Sequence, residues 1–155
     1  ASPLLGKDRV YVGCGIGDAF KTTALFCLDA ATGKPRWRYA ATLAVWNKPL
    51  LSGEQLFFAT GNGRINEPAI NPAGEVLCLR ADTGEEIWTK KLPDGVFARM
   101  RLDQDHLFVG CRDGNFYALR RSDGGLVWRR NLGSAVVSAP ILETCPCCQL
   151  VGNKL

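Results

Sequence analysis

The sequence is short of several things, and each shortage removes a class of answer. Histidine occurs once, as His106. A Ser-His-Asp centre or a His-rich metal site therefore has little to work with. Methionine also occurs once, as Met100. No apolar run approaches the ~20 residues of a membrane span. No stretch carries sustained helical periodicity, which argues against helical bundles and coiled coils. Charge is nearly balanced, 19 Lys and Arg against 15 Asp and Glu, and a net +4 does not call for a nucleic-acid partner. The seven cysteines are an odd set, so they do not suggest a closed disulfide framework. The chain opens at Ala1 without a basic-then-apolar leader and is expected to be a piece of a longer protein.

What is abundant is glycine and tryptophan, 17 and four residues among 155. Three of the tryptophans, Trp37, Trp88 and Trp128, mark a repeat. Leu28 to Trp37, Leu79 to Trp88 and Leu119 to Trp128 share a Leu, a Gly and a Trp at equal offsets. Arg9 to Cys14, Gln55 to Thr60 and His106 to Cys111 form a second set of equivalent segments. A third begins 12 residues after each tryptophan, at Pro49, Met100 and Pro140. The distance between successive tryptophans falls from 51 to 40 residues, and the excess lies in one place. Relative to the 40-residue unit, insertions follow Cys14 and Thr60, with lengths of 6 and 11 residues.

Each unit reads as four short strands rich in Val, Phe, Tyr and Trp, with Thr-Gly or Asp-Gly before the last one. Four strands in about 40 residues is the signature of a propeller blade. The expected fold is all-β: a β-propeller of four-stranded antiparallel blades, present in part. Blades are expected at 1–43, 44–94 and 95–133, with the first half of a fourth at 134–155. So few blades do not close a ring of the usual 4–8.

The repeat resembles that of pyrroloquinoline-quinone (PQQ)-type propellers, Ala-x-Asp-x-x-Thr-Gly-x-x-x-Trp. Cys27, Asp29, Thr32, Gly33 and Trp37 fit it first, then Cys78, Thr83, Gly84 and Trp88, then Ala118, Gly124 and Trp128. Arg80 and Arg120 stand where the pattern has Asp, and Asp123 where it has Thr. The resemblance implies blade docking through these residues, with each Trp ring, expected largely buried, against the next blade. It also implies one of two functions. The first is a non-enzymatic scaffold for protein interaction or assembly, similar to the barrel-assembly lipoproteins, periplasmic or otherwise outside the cytoplasm. Its partners would be proteins or further blades of the same propeller, with no cofactor. The alternative is part of a quinoprotein alcohol dehydrogenase that binds PQQ and calcium. The acidic base, calcium cage and quinone-facing Arg of such an enzyme are not recognisable in the sequence.

Asn62, in Thr60-Gly61-Asn62-Gly63, is similar to a calcium-ligating Asn of quinoproteins, but one Asn falls far short of the 6–8 oxygens calcium takes. A plain Gly-rich loop accounts for it as well. Cys145, Cys147 and Cys148 form a cluster that suits a soft metal or redox chemistry, against an incidental turn. Cys14, Cys27, Cys78 and Cys111 read as small buried hydrophobes. Trp46, Phe97 and Val137 each follow a blade tryptophan by nine residues and so share one position, on the connection entering the next blade. Together with Phe20, Ile65 and Ile70 of the insertions they are the candidate partner-binding face. The plainer reading is that Trp46, Phe97 and Val137 plug the central channel or pack beneath the insertions.

Overall fold

The computed structural model describes residues 2–15 and 22–140. Phe20 and the cluster of Cys145, Cys147 and Cys148 lie outside the described residues. The described chain is all-β, built as three antiparallel sheets. The first holds β1 (Leu4–Leu5), β2 (Arg9–Cys14), β3 (Ala24–Asp29) and β4 (Pro35–Ala40) in sequence order. The second holds β5 (Ala44–Val45), β6 (Leu50–Ser52), β7 (Gln55–Gly61), β8 (Gly74–Arg80) and β9 (Glu86–Leu92). The third holds β10 (Arg101–Leu102), β11 (His106–Gly110), β12 (Asn115–Arg120) and β13 (Leu126–Asn131). These are propeller blades, as the repeat predicts, each running from a short inner strand to a long outer one.

Register carries the repeat into space. Tyr11 pairs with Cys27 and Cys27 with Trp37; Phe57, Cys78 and Trp88 line up in the same way, as do Phe108, Ala118 and Trp128. A bulge interrupts the outer pairing at one equivalent point in every blade, between Cys27 and Leu28, Cys78 and Leu79, and Ala118 and Leu119. Bulges sharpen local twist, and their repetition gives the three sheets a common curvature.

Side chains alternate across each sheet, so every blade has one face toward each neighbour. Blade one presents Leu4, Tyr11, Cys27, Trp37 and Tyr39 to Leu56, Phe58, Leu77 and Leu79 of blade two. Blade two turns Phe57, Ala59, Val76, Cys78 and Trp88 toward Leu107, Val109, Tyr117 and Leu119 of blade three. The core is therefore two apolar layers between three sheets, and blade two is buried on both faces. Each fully buried side chain of this size contributes about 1.5–3 kcal/mol.

The connections between blades dock on missing side chains. A Cβ on Gly13 would sit 2.4 Å from Val45, and one on Gly110 would sit 2.6 Å from Val136. The equivalent residue in blade two is Ala59, which packs in the same layer as Val96. Val45, Val96 and Val136 share one position in the repeat, so a small residue on the second strand makes room for each incoming valine.

Candidate interaction face

The turn before each outer strand builds the contact with the preceding blade. Gly33, Gly84 and Gly124 all have positive φ, near +70°. A Cβ on Gly84 would lie 2.7 Å from the Trp37 ring, and one on Gly124 would lie 2.6 Å from the Trp88 ring. The tryptophan of one blade therefore lies flat on the glycine of the next. Its indole also donates to that blade: Trp37 Nε1 to the Ala81 carbonyl at 3.1 Å, and Trp88 Nε1 to the Arg121 carbonyl at 3.0 Å. Tyr11 donates its hydroxyl to the same Ala81 carbonyl. Trp88 is buried and Trp37 half-buried, whereas Trp128 is 44% exposed. Each ring is expected to be largely buried where a neighbouring blade is present. Among the described residues nothing lies beyond blade three to supply the glycine and carbonyl that Trp128 would meet.

Departures from the repeat pattern are offset locally. In blade one Asp29 accepts from the backbone of Ala31 and Thr32 and pairs with Arg36 at 2.7 Å. The Arg36 guanidinium, with the Thr32 hydroxyl and amide, holds the Asp29 carboxyl well below its ordinary range. In blade two Arg80 pairs with Glu85, and in blade three Arg120 pairs with Asp123. The acidic partner has moved across the turn while the charge pair persists. Arg121 belongs to this outer region too, reaching back to Gln55 and the Ser52 carbonyl of blade two.

The cysteines of the described blades are free thiols. Cys27 and Cys78 lie opposite their tryptophans in the interblade layers. Burial raises the Cys27 thiol and pushes those of Cys78 and Cys111 up to about 12. Cys111 donates Sγ to the Asp94 carbonyl at 3.1 Å. The equivalent hydroxyl of Thr60 is buried with no hydrogen-bond partner among the described residues.

The chain belongs to the family described as outer membrane protein assembly factor BamB. The BamB family model matches residues 1–69 and 72–144. BamB of Marinobacter adhaerens is 29% identical over 118 residues, which cover 75% of this chain and 27% of that protein. The quinoprotein alcohol dehydrogenase PedH of Pseudomonas putida is 27% identical over 150 residues, covering 84% of this chain and 22% of that enzyme. The crystal structure of BamB from Moraxella catarrhalis has the same fold, with a TM-score of 0.60 at 24% identity over 80% of this chain and 33% of that one. The chain thus spans about a quarter of the length of the curated relatives it matches.

The blade-two insertion and the blade-to-blade connections share one face. Trp46 donates its indole N–H to the Gly61 carbonyl at 2.9 Å, and its ring meets that of Phe97 at 5.5 Å. Both rings are half-buried. Trp46 thereby packs against the base of the blade-two insertion, with Phe97 beside it. Beside Trp46 lies a cavity of about 440 Å³, lined by Thr23, Thr42, Leu43, Asn62, Arg64 and Pro68 among others. Exposed apolar residues of this face include Ile65, Ile70 and Val137, at 53%, 98% and 40%.

Three polar residues missed in the sequence organise the face. Asn47 is buried, accepts from the Ala59 amide and donates to the Ala98 carbonyl, joining the entries to blades two and three. Arg112 and Asp94 form a buried ion pair with a shortest contact of 2.6 Å. The only signal of Arg112 and Asp94 in the sequence is a departure from the repeat, since one unit earlier the equivalent positions hold Gly61 and Leu43.

The polar groups around Asn62 are engaged within the protein. Asn62 spends both ends of its amide within its own loop, Oδ1 accepting from Ala73 N and Nδ2 donating to the Asn71 carbonyl. Arg112 is engaged by protein acceptors. Among the described residues no three His, Cys, Asp or Glu side chains gather to hold a cation.

Proposed function

We propose that the chain is part of a non-enzymatic BamB-like propeller serving as an assembly scaffold in the cell envelope, on its periplasmic side. Its binding surface is the face carrying the blade-two insertion, with Ile65 and Ile70 exposed and Trp46 and Phe97 as packed support. The observation that carries this reading is the internal commitment of the polar groups on that face. Asn62 and Asn47 bond to backbone, and Arg112 bonds to backbone carbonyls and the Asp94 carboxylate, which fixes a loop from which Ile65 and Ile70 project beside the exposed Arg64–Glu67 pair. Such an arrangement favours contact with a protein surface. The docking residues Cys27, Asp29, Thr32, Gly33, Trp37, Cys78, Thr83, Gly84, Trp88, Ala118, Gly124 and Trp128 serve blade-to-blade assembly. The partners are proteins or further blades of the same propeller.

The alternative is a segment of a PQQ- and calcium-dependent alcohol dehydrogenase, and the similarity to PedH favours it. Two measurements on the full-length protein separate the readings. A ligand that binds only the folded state raises Tm by mass action, so PQQ with calcium leaves the Tm unchanged if the scaffold reading holds. A reproducible rise with both together, absent with either alone, overturns it. Photo-cross-linkers at Ile65 and Ile70 capture outer-membrane assembly proteins identifiable by mass. Adducts formed only through Asp8 and Asp105, at the opposite ends of the strands, refute the choice of face.

A further inference from the structure

We infer that Arg112 is a positioning residue that locks the blade-two insertion, residues 61–74, into one shape against blade three. This deepens the reading of the insertion face as a binding surface and rests on it for the purpose of the lock, though not for the lock itself. The argument begins with where Arg112 stands. Blade three has no insertion after its second strand. Arg112 occupies the space so left, directly after β11, beneath the long loop of blade two.

Its guanidinium is almost wholly spent. Nε and Nη2 face the Asp94 carboxylate, with contacts of 3.0, 3.1 and 2.6 Å. Nη1 donates to the Glu67 carbonyl at 3.0 Å and also to the Arg64 carbonyl. The guanidinium lies 5.3 Å from the centre of the Phe97 ring, against its face. Asp94 is held in turn, accepting from the Gly95 amide at 2.6 Å. Arg64 and Glu67 already close a turn on themselves, each amide bonded to the other's carbonyl. Arg112 therefore grips both carbonyls of a preformed turn from below.

Gly63 makes this grip fit. It has φ +74°, and a Cβ there would lie 2.9 Å from the Glu67 carbonyl and 3.2 Å from Arg112 Nη1. Ile65 lies within the gripped turn and Ile70 just beyond it, so the clamp fixes the base from which both project. Only a planar fork can serve Asp94 and two carbonyls at once. A lysine keeps the charge and loses that reach.

Hydrogen exchange in the full-length protein tests the lock. Arg112→Lys should speed exchange of the Arg64 and Glu67 amides by about tenfold or more, since opening then needs no broken clamp. The strand amides of β11 and β12 should keep their wild-type rates. Asp94→Asn, which leaves the fork without its counter-charge, should loosen the same two amides. Wild-type exchange of the loop in Arg112→Lys overturns the inference. Equal loosening of β11 and β12 overturns it as well, because Arg112 would then be a support of the blade at large. Exchange is read without a partner, so it decides the lock alone. The yield of cross-links through Ile70 separately decides whether the face binds.

Discussion

Replacing Gly124 by alanine isolates the contact on which blade docking rests. Two costs arise there. The residue has φ +70°, and an L side chain in the left-handed region costs about 1–2 kcal/mol. The new methyl would also lie 2.6 Å from a carbon of the Trp88 ring, so the ring or the turn must move. Overpacking of this kind costs about 1–3 kcal/mol. Gly53 supplies the control, with φ +60° and nothing within 4 Å of the place its Cβ would take. Gly53→Ala should therefore lose about 1–2 kcal/mol, and Gly124→Ala about 2–5 kcal/mol, the sum of both costs. Gly84→Ala should match Gly124→Ala, since its Cβ would meet the Trp37 ring at 2.7 Å. Urea unfolding gives each difference directly, provided the m-value is unchanged. Equal losses at Gly53 and Gly124 would refute the reasoning, because the tryptophan contact would then add nothing to the backbone term.

Trp88→Ala should cost about 3–5 kcal/mol by equilibrium unfolding. Trp88→Phe should cost about 1–3 kcal/mol, because the Arg121 carbonyl loses its donor while most of the apolar area stays buried. Thr60→Val should stabilise the fold by about 1 kcal/mol, since it removes a buried hydroxyl that has no partner among the described residues; a loss of stability would mean that the hydroxyl is satisfied in solution. The thiols of Cys78 and Cys111 keep their protons in the folded state up to about 12, while in the unfolded chain they ionise near 9.0. Their contribution is complete below that ordinary value and is lost as pH rises from it toward about 12, so unfolding measured from pH 8 to 11 should show a falling midpoint. Cys78→Ala with Cys111→Ala should flatten that fall.

Much of the fold was legible in the sequence because it is written three times. Equal offsets from Leu to Trp fixed the blade period, and the 12-residue step to the next inner strand fixed the order of strands. The positions of the two insertions could be read for the same reason, as departures from a shared length. The valines at 45, 96 and 136 and the small residues that receive them were equally periodic, but their meaning needed two blades side by side. The charge pairs of Arg80 with Glu85 and Arg120 with Asp123 show the same limit. In the sequence they are departures from a motif, and only the folded turn brings each pair together.

The sequence by itself determined the four-strand unit, the docking glycines and tryptophans, and the place of the long loops, since all of these follow from local spacing and turn chemistry. Tertiary structure decided which of those groups meet. Trp128 has the same local sequence context as Trp88, yet it is exposed, because covering a ring takes a neighbouring blade. Trp46 and Phe97 are 51 residues apart and touch, because adjacent blades carry equivalent positions side by side. Asp94, Arg112 and the carbonyls of Arg64 and Glu67 come from three different stretches of chain. Their convergence obeys no sequence period. It follows from the geometry of two sheets packed face to face, with an arginine long enough to reach across the gap.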